Sequence, residues 1–189
     1  MTPADPPNQT IPPQPLFEVV LFEPQIPNNT GNIGRTCLAM ASSLHLIEPL
    51  GFDLSEKALR RAGLDYWPRL ETAVHEDWSS YVQSTPGARR WMFTTNPAIP
   101  NNGPAKPVFR ADLRQGDHFV FGPETRGLPR DLLETHAQSN VIFPLVPEER
   151  SLNLATTVCA ALTEGVRQLA QSNSIQISRK GRIVIPARP

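Results

Sequence analysis

Six side chains able to contact a small polar ligand occur in three short loops of this sequence. They are Arg35, Glu124, Arg126, Arg150, Ser151 and Asn153. The loops read NNTGNIGR at 28–35, FGPETRGLP at 121–129 and PLVPEERSLNLATT at 144–157. They contain no serine–histidine–acid arrangement, Walker loop or metal-ligand cluster. Guanidinium, carboxylate, hydroxyl and amide groups beside exposed backbone instead suit a purine ring carrying a small polar group.

Four of these six polar residues also have a structural interpretation. Glu124 is explained equally well as a carboxylate that stabilises its loop, and Ser151 and Asn153 as caps of the following helix. Arg35 lies off the apolar stripe of its predicted helix, as a solvated surface residue would. Capping and ligand binding can coexist, so both interpretations stay open at this point.

Apolar runs precede all three loops and predict the strands that position them. The runs are LFEVVLF at 16–22, FVF at 119–121 and VIFPL at 141–145. Strand and helix patterns alternate along the chain, which predicts a mostly parallel α/β sheet with helices on both faces. Ser151 is predicted to cap the long final helix. In such a sheet, loops at the carboxyl ends of the strands form one site.

Composition fits one ordinary domain. The chain has 189 residues, and its 18 basic and 18 acidic residues cancel, so any surface for nucleic acid must be local. It has no apolar run long enough for a membrane span and no signal peptide pattern. Cys37 and Cys159 are predicted to be buried free thiols, which fits a reducing cytoplasm.

The domain prediction has three parts. Residues 1–15 contain six prolines and are predicted to be a disordered tail. Residues 16–171 form a single domain. Residues 172–189 are a polar and basic extension, for which a tail and a small β addition both remain open.

One local basic patch stands out in this neutral chain. Lys57, Arg60 and Arg61 share a predicted short helix, and Tyr66 and Trp67 follow it. The basic residues fit either a solvated helix face or contacts to nucleic-acid phosphates. The aromatic residues fit either packing or stacking on bases.

The three loops resemble, in order, the signature motifs of the SpoU–TrmD (SPOUT) class of RNA methyltransferases. Two further blocks, HLIEPLGF at 45–52 and LRRAGLDYW at 59–67, are similar to the tRNA (cytidine/uridine-34) 2′-O-methyltransferase subfamily. The resemblance covers about Phe17 to Gln171. It implies a C-terminal deep trefoil knot, a cytoplasmic homodimer whose sites are completed by the partner subunit, and no metal. It also implies transfer of a methyl group from S-adenosylmethionine, leaving S-adenosylhomocysteine, to the wobble ribose in a tRNA anticodon stem-loop.

The resemblance also implies roles for individual residues. The cofactor pocket would involve Phe93, Gly122, Leu128, Phe143, Leu145, Ser151 and Leu152. Catalytic roles would fall to Arg35, Glu124, Ser151 and Asn153. RNA would be held by Asn28, Arg60, Arg61, Tyr66 and Trp67. Because arginine stays protonated in proteins, Arg35 is expected to orient and stabilise charge rather than act as a literal base.

Other functions remain as alternatives. The same scaffold could methylate another tRNA position or ribosomal RNA, or bind RNA without catalysis. Intact Arg35, Glu124, Ser151 and Asn153 argue against a non-catalytic factor. A nicotinamide oxidoreductase is disfavoured because the first strand is not followed by G-x-G-x-x-G.

Overall fold

A parallel sheet forms the centre of the protein. The computed structural model describes residues 14–61, 63–96, 98–99 and 103–185. Within these residues, seven strands pair in the order β3-β2-β1-β8-β4-β9-β7, and every pairing is parallel. These strands are β1 Phe17–Phe22, β2 Ser43–Ile47, β3 Thr72–His75, β4 Arg90–Phe93, β7 Lys106–Pro107, β8 Asp117–Phe121 and β9 Asn140–Ile142. Two short antiparallel pairs lie outside the sheet, β5 Ala98–Ile99 with β6 Gly103–Pro104 and β10 Gln176–Ile177 with β11 Ile183–Val184.

Helices cover both faces of the sheet, as parallel strands require. They are α1 Pro27–Ala39, α2 Glu56–Arg61, α3 Trp78–Ser84, α4 Arg130–Thr135 and α5 Leu154–Gln171, with 3-10 turns at Trp67–Arg69, Val108–Arg110 and Ala137–Ser139. The larger core cluster includes residues of α1 and α5, and a smaller one includes residues of α3 and α4. The prediction of a mostly parallel α/β sheet with helices on both faces is confirmed. The trefoil knot stays a prediction.

Strands β1, β8, β4 and β9 are consecutive neighbours in the sheet. Their carboxyl ends therefore bring together the loops that follow Phe22, Phe121, Phe93 and Ile142. Strand β9 ends at Ile142, before the predicted limit at Leu145. Pro144 has no amide hydrogen to continue the ladder. The segment from Phe143 to Leu145 therefore lines the site instead of extending the strand.

Several predictions away from the sheet have different outcomes. Residues 1–13 of the predicted tail lie outside the described residues. The extension after residue 171 contains the β10–β11 hairpin, which agrees with the small β addition. Cys37 is buried, but the burial predicted for Cys159 is wrong because this residue faces solvent from α5. Among the described helices, none is long and apolar enough to cross a membrane.

Candidate active site

A cleft of about 1400 Å³ opens at the carboxyl ends of the four neighbouring strands. Its walls come from the three loops identified in the sequence and from the segment after β4. All the predicted cofactor residues line it, namely Phe93, Gly122, Leu128, Phe143, Leu145, Ser151 and Leu152. Glu124 and Asn153 line it as well. The sheet therefore gathers into one cavity residues from Ile26 to Thr157, which are 131 positions apart in the sequence.

Apolar side chains are unusually exposed in this cleft. Ile26, Leu145, Val146 and Leu152 are between 36% and 62% exposed, and they are half of the large apolar side chains exposed among the described residues. The rings of Phe93 and Phe143, which line the same cleft, stack with centroids 6.0 Å apart. Clustered exposed apolar groups mark a binding surface. Here they suit a planar ring.

Glycine is required at residue 122 by close backbone packing. A Cβ atom on Gly122 would lie 2.2 Å from the carbonyl carbon of Gly127 and 2.3 Å from the Leu128 nitrogen. Gly127 itself has φ +68°, in the left-handed region that favours glycine. The second loop therefore folds back against its own start, which shapes the cleft wall from backbone alone.

Glu124 ties the second loop to the first. Its carboxylate accepts hydrogen bonds from the Gln25 and Ile26 amides, at 3.0 and 3.3 Å, and from Asn29 Nδ2 at 2.9 Å. Ile26 is the N-cap of α1 and offers no capping side chain. A carboxylate at this position also interacts favourably with the helix dipole. Glu124 thus fixes where α1 begins.

Asn29 extends this connection to the third loop. Its Oδ1 accepts a 3.0 Å hydrogen bond from Asn153 Nδ2, so one buried amide joins Glu124 to Asn153. The sequence did not single out Asn29. The Asn28-Asn29 pair was visible, but only the helix geometry shows that residue 29 turns inward while residue 28 remains exposed.

Asn153, rather than Ser151, caps the final helix. Its Oδ1 accepts from the amides of Ala155 and Thr156, and helix α5 starts at Leu154. The capping role predicted for Ser151 is therefore corrected, because its hydroxyl lies before the first helical turn. Ser151 is exposed in the cleft, where it is available to a ligand.

Arg35 lies apart from the cleft. It is six residues beyond Asn29 in α1, about 9 Å along the helix axis and on another side of it. Its side chain is 64% exposed, and Nη2 is 3.9 Å from Asp65 Oδ1. Within this chain, the side chains of Glu124 and Asn153 form hydrogen bonds to Asn29 rather than to Arg35.

The ring of Tyr66 packs against the Arg35 guanidinium. The guanidinium carbon lies 4.5 Å from the centre of the Tyr66 ring, a cation–π contact. The Tyr66 hydroxyl donates to the Gly31 carbonyl oxygen, which fixes the ring against α1. Burial raises the pKa of Tyr66, against the lowering effect of the Arg35 charge, so the phenol stays protonated at neutral pH.

Of the two interpretations left open for Tyr66 and Trp67, packing fits the structure and base stacking does not. Tyr66 is 2% exposed and Trp67 8%, so neither ring offers a free face to a base. A Cβ on Gly34 would lie 2.9 Å from the Trp67 ring, and one on Gly31 would lie 3.0 Å from Leu64. These two glycines in the first loop therefore allow the 64–70 segment to pack on α1.

Two of the remaining predicted RNA-binding residues, Asn28 and Arg61, lie on the surface. Asn28 is exposed at the start of α1, and Arg61 is exposed in α2. The side chain of Arg60 falls outside the description, although its backbone belongs to α2. Neither Asn28 nor Arg61 lines the cleft.

Fold and site together define a class of protein. A parallel sheet with a ligand cleft at its carboxyl end, walled by the three motif-bearing loops, is the arrangement expected for a SPOUT methyltransferase. Residues 16–163 match the model of the SpoU rRNA methylase family. The chain belongs to that family, which confirms the resemblance seen in the sequence.

Several relatives are similar in sequence to this chain over nearly their whole length. The chain is 42% identical to a protein of Saccharophagus degradans over 160 residues, covering 84% of this chain and 99% of the relative. It is 47% identical to one of Burkholderia cenocepacia, covering 81% and 96%. Both relatives are named tRNA (cytidine(34)-2′-O)-methyltransferase. A solved structure described as giving insights into 2′-OH methylation of C/U34 on tRNA is 40% identical, with a TM-score of 0.73, covering 82% of this chain and 97% of that one.

Proposed function

We propose that this protein transfers the methyl group of S-adenosylmethionine to the 2′-hydroxyl of the wobble nucleotide, cytidine or uridine at position 34, in tRNA. Family membership supports methyl transfer, and the names of relatives 42% and 47% identical support the tRNA position. The observation that carries the proposal is the cleft, in which every residue expected to hold the cofactor meets.

The chemistry of the cleft fits S-adenosylmethionine. Leu128, Leu145 and Leu152 supply apolar surface for an adenine ring, and Phe93 and Phe143 close the slot behind it. Ser151 and the backbone around Gly122 supply polar groups. When bound, the cofactor supplies a methyl group already activated on a sulfonium, so the protein has chiefly to bind and orient.

Glu124 and Asn153 act as positioning residues in this proposal. The Glu124 carboxylate already accepts three hydrogen bonds, which leaves it poorly placed to take a proton from a ribose. Through Asn29, Glu124 and Asn153 hold the starts of α1 and α5 in a fixed relation. The cleft walls carried by those helices stay in place as a result.

Arg35 is proposed to serve the cleft of a second copy in a homodimer. Within one chain it points away from the cleft, open to solvent over the Tyr66 ring. A protonated guanidinium brought to the partner's cleft would orient the ribose or its phosphate and stabilise charge that develops on the attacking oxygen. The exposed face of α1 is where such a second copy would approach.

The substrate side of the proposal is an anticodon loop. Its unpaired nucleotides can be splayed out, which gives access to a ribose hydroxyl that a helix would hold in place. Exposed Asn28 and Arg61 are candidates for contacts to it, with Arg60 as their neighbour. Residues 16–171 are proposed as the single catalytic domain. The cytoplasmic location and the absence of a required metal stay predictions.

The test is methyl transfer with position-specific analysis. Purified protein is incubated with methyl-labelled S-adenosylmethionine and unmodified tRNA, and the product is digested and analysed by mass spectrometry. We expect 2′-O-methylcytidine or 2′-O-methyluridine at position 34. Methylation confined to another position, or to ribosomal RNA offered in parallel, would replace the proposed substrate.

A further inference from the structure

We propose that the C-terminal hairpin, residues 172–185, is an RNA-binding element that contacts the phosphate backbone of the substrate away from the methylated nucleotide. This inference rests on the proposed function, since it takes RNA to be the substrate. The family model ends at residue 163, before the hairpin begins. The element is therefore additional to the matched domain.

Charge is distributed unevenly along the chain. Five of the 18 basic residues and none of the 18 acidic residues lie after Glu164, which leaves 13 basic and 18 acidic residues up to and including Glu164. Most of the protein is thus net negative and repels a polyanion. A local basic surface is what an RNA backbone would need in order to bind.

The hairpin concentrates cations at its tip. Arg179, Lys180 and Arg182 are exposed around the turn, and the hairpin contains no carboxylate of its own. In the body of the protein, many arginines lie within 4 Å of a carboxylate oxygen. Those in ion pairs are Arg35, Arg89, Arg114, Arg126, Arg130 and Arg167. Arg179 and Arg182 have no such pair among the described residues.

The tip is held in a defined shape. The Ser178 amide donates to the Arg182 carbonyl at 2.8 Å, and the Arg182 amide donates to Ser178 Oγ at 3.0 Å. Gly181 has φ +71°, the left-handed conformation that this tight turn needs. A preorganised turn presents its charges with less loss of conformational entropy on binding than a disordered tail would.

The hairpin is also anchored to the domain. Ile175, at its base, is 1% exposed and belongs to the main core cluster, and Ile183 and Ile185 pack against that cluster. Both strands are thereby fixed to the body. The basic tip has a set position relative to the cleft.

A polar groove adjoins the base of the hairpin. It has a volume of about 750 Å³, and its lining includes Arg110 together with Arg114 and Arg167, which form ion pairs with Asp112 and Glu164. Ser172 and Ser174, at the start of the hairpin, add hydroxyl groups. Cationic and hydroxyl side chains are common donors to phosphates. The groove continues the same surface.

Groove and cleft lie at opposite ends of α5. Leu154 and Thr157 line the cleft, whereas Leu169 and Ser172 line the groove. The helix has 18 residues and is about 27 Å long. An RNA that reaches both places must extend well beyond one flipped nucleotide, so the hairpin would meet a paired stem. Phosphate contacts there would set the register of the loop in the active site.

The test compares a triple alanine variant, Arg179→Ala/Lys180→Ala/Arg182→Ala, with the wild-type full chain. Equilibrium binding to unmodified tRNA is measured across a salt series, with S-adenosylmethionine affinity and thermal unfolding in parallel. We expect tRNA affinity to fall about 10-fold or more near 0.1 M salt and the log–log salt slope to fall by about 2 to 3, the number expected for three lost phosphate contacts. Cofactor affinity and the unfolding midpoint should not change.

The matched control keeps the charge at the same positions, as Arg179→Lys/Arg182→Lys, and should retain both affinity and salt slope. Unchanged tRNA affinity and slope in the alanine variant would overturn the hairpin proposal alone. Wild-type protein that binds tRNA but methylates another position would overturn the proposed function while leaving the hairpin result valid. Wild-type protein without measurable tRNA affinity would overturn both.

Discussion

The cleft and the region formed by Arg35, Asp65 and Tyr66 (the Arg35 face) are built in opposite ways. The cleft is assembled from backbone packing and a continuous series of hydrogen bonds, from Glu124 through Asn29 to Asn153. On the other face, Arg35 rests on one ring and has a 3.9 Å ion pair with an exposed aspartate. One region is complete within a single chain, and the other presents a catalytic candidate to solvent.

This difference indicates that the two regions have different functions. Cofactor binding requires a preformed pocket, which one chain can supply through four neighbouring strands. Activation of the ribose hydroxyl requires a positive charge near the bound RNA. In our proposal, Arg35 of the second subunit supplies it. The comparison predicts that substitutions in the two regions will separate cofactor affinity from turnover.

The largest effect is expected from Gly122→Ala. The new Cβ would lie 2.2 Å from the backbone of Gly127, so the second loop could not close. We expect the free energy of unfolding to fall by about 3 kcal/mol and cofactor affinity to be lost. Calorimetry and thermal unfolding provide the measurements.

Gly34, in the helix that carries Arg35, is the control position for this comparison. Gly34→Ala would press on the ends of the Leu70 and Trp67 side chains rather than on backbone. It should lower stability and turnover but leave cofactor affinity within about twofold. If the two variants lost cofactor affinity equally, the separation of the regions would fail.

Arg35→Ala is expected to have the next largest effect, confined to catalysis. Turnover should fall by about 100-fold or more, in the range seen when one charge-stabilising donor is removed. Cofactor affinity and thermal stability should match the wild type, because the exposed side chain supports neither. Steady-state kinetics with saturating tRNA measure the effect, and Arg35→Lys shows how much a point charge alone recovers. Near-normal turnover in Arg35→Ala would remove this residue from the site.

Asn29→Ala tests the connection between the cleft loops. The substitution leaves Glu124 and Asn153 each without one partner, which should cost about 1 to 3 kcal/mol in stability and weaken cofactor binding roughly 10-fold. The exposed neighbour gives the control, since Asn28→Ala should leave both quantities unchanged. Equal effects of the two variants on cofactor affinity would contradict the bridging role.

Tyr66→Phe should have the smallest effect. It removes the hydroxyl that donates to the Gly31 carbonyl but keeps the ring under Arg35. We expect a loss of about 1 kcal/mol in stability, a small decrease in turnover and no change in cofactor affinity. Denaturant unfolding and kinetics on the same preparation check this. A large drop in cofactor affinity would show that the two regions are coupled.

The sequence predicted the cleft well because its signals are local. Apolar runs placed the strands, and turns such as Gly122-Pro123 placed the loops at their ends. Parallel pairing then brings those ends together without further information. The choice of Ser151 over Asn153 as helix cap was wrong because both residue types cap helices, and only the position of the first helical turn distinguishes them.

The Arg35 face was harder to predict because its contacts are between distant segments. Tyr66 and Trp67 follow a basic helix, and nothing in their own neighbourhood shows that Gly31 and Gly34 leave room for them on α1. Likewise, periodicity put Arg35 on the polar side of its helix but could not relate that side to the cleft. The burial predicted for Cys159 failed since α5 has a solvent-facing side.

Subunit mixing tests the split site most directly. One chain carries Arg35→Ala, and the other carries Leu152→Glu, which places a charge in the adenine slot at an exposed position. Each variant alone should be nearly inactive. If Arg35 serves the partner's cleft, co-assembled chains contain one intact site per heterodimer, and activity should recover to about a quarter of wild type by random pairing. No recovery, with heterodimers confirmed by mass spectrometry, would contradict the account and require Arg35 to act within its own chain or not at all.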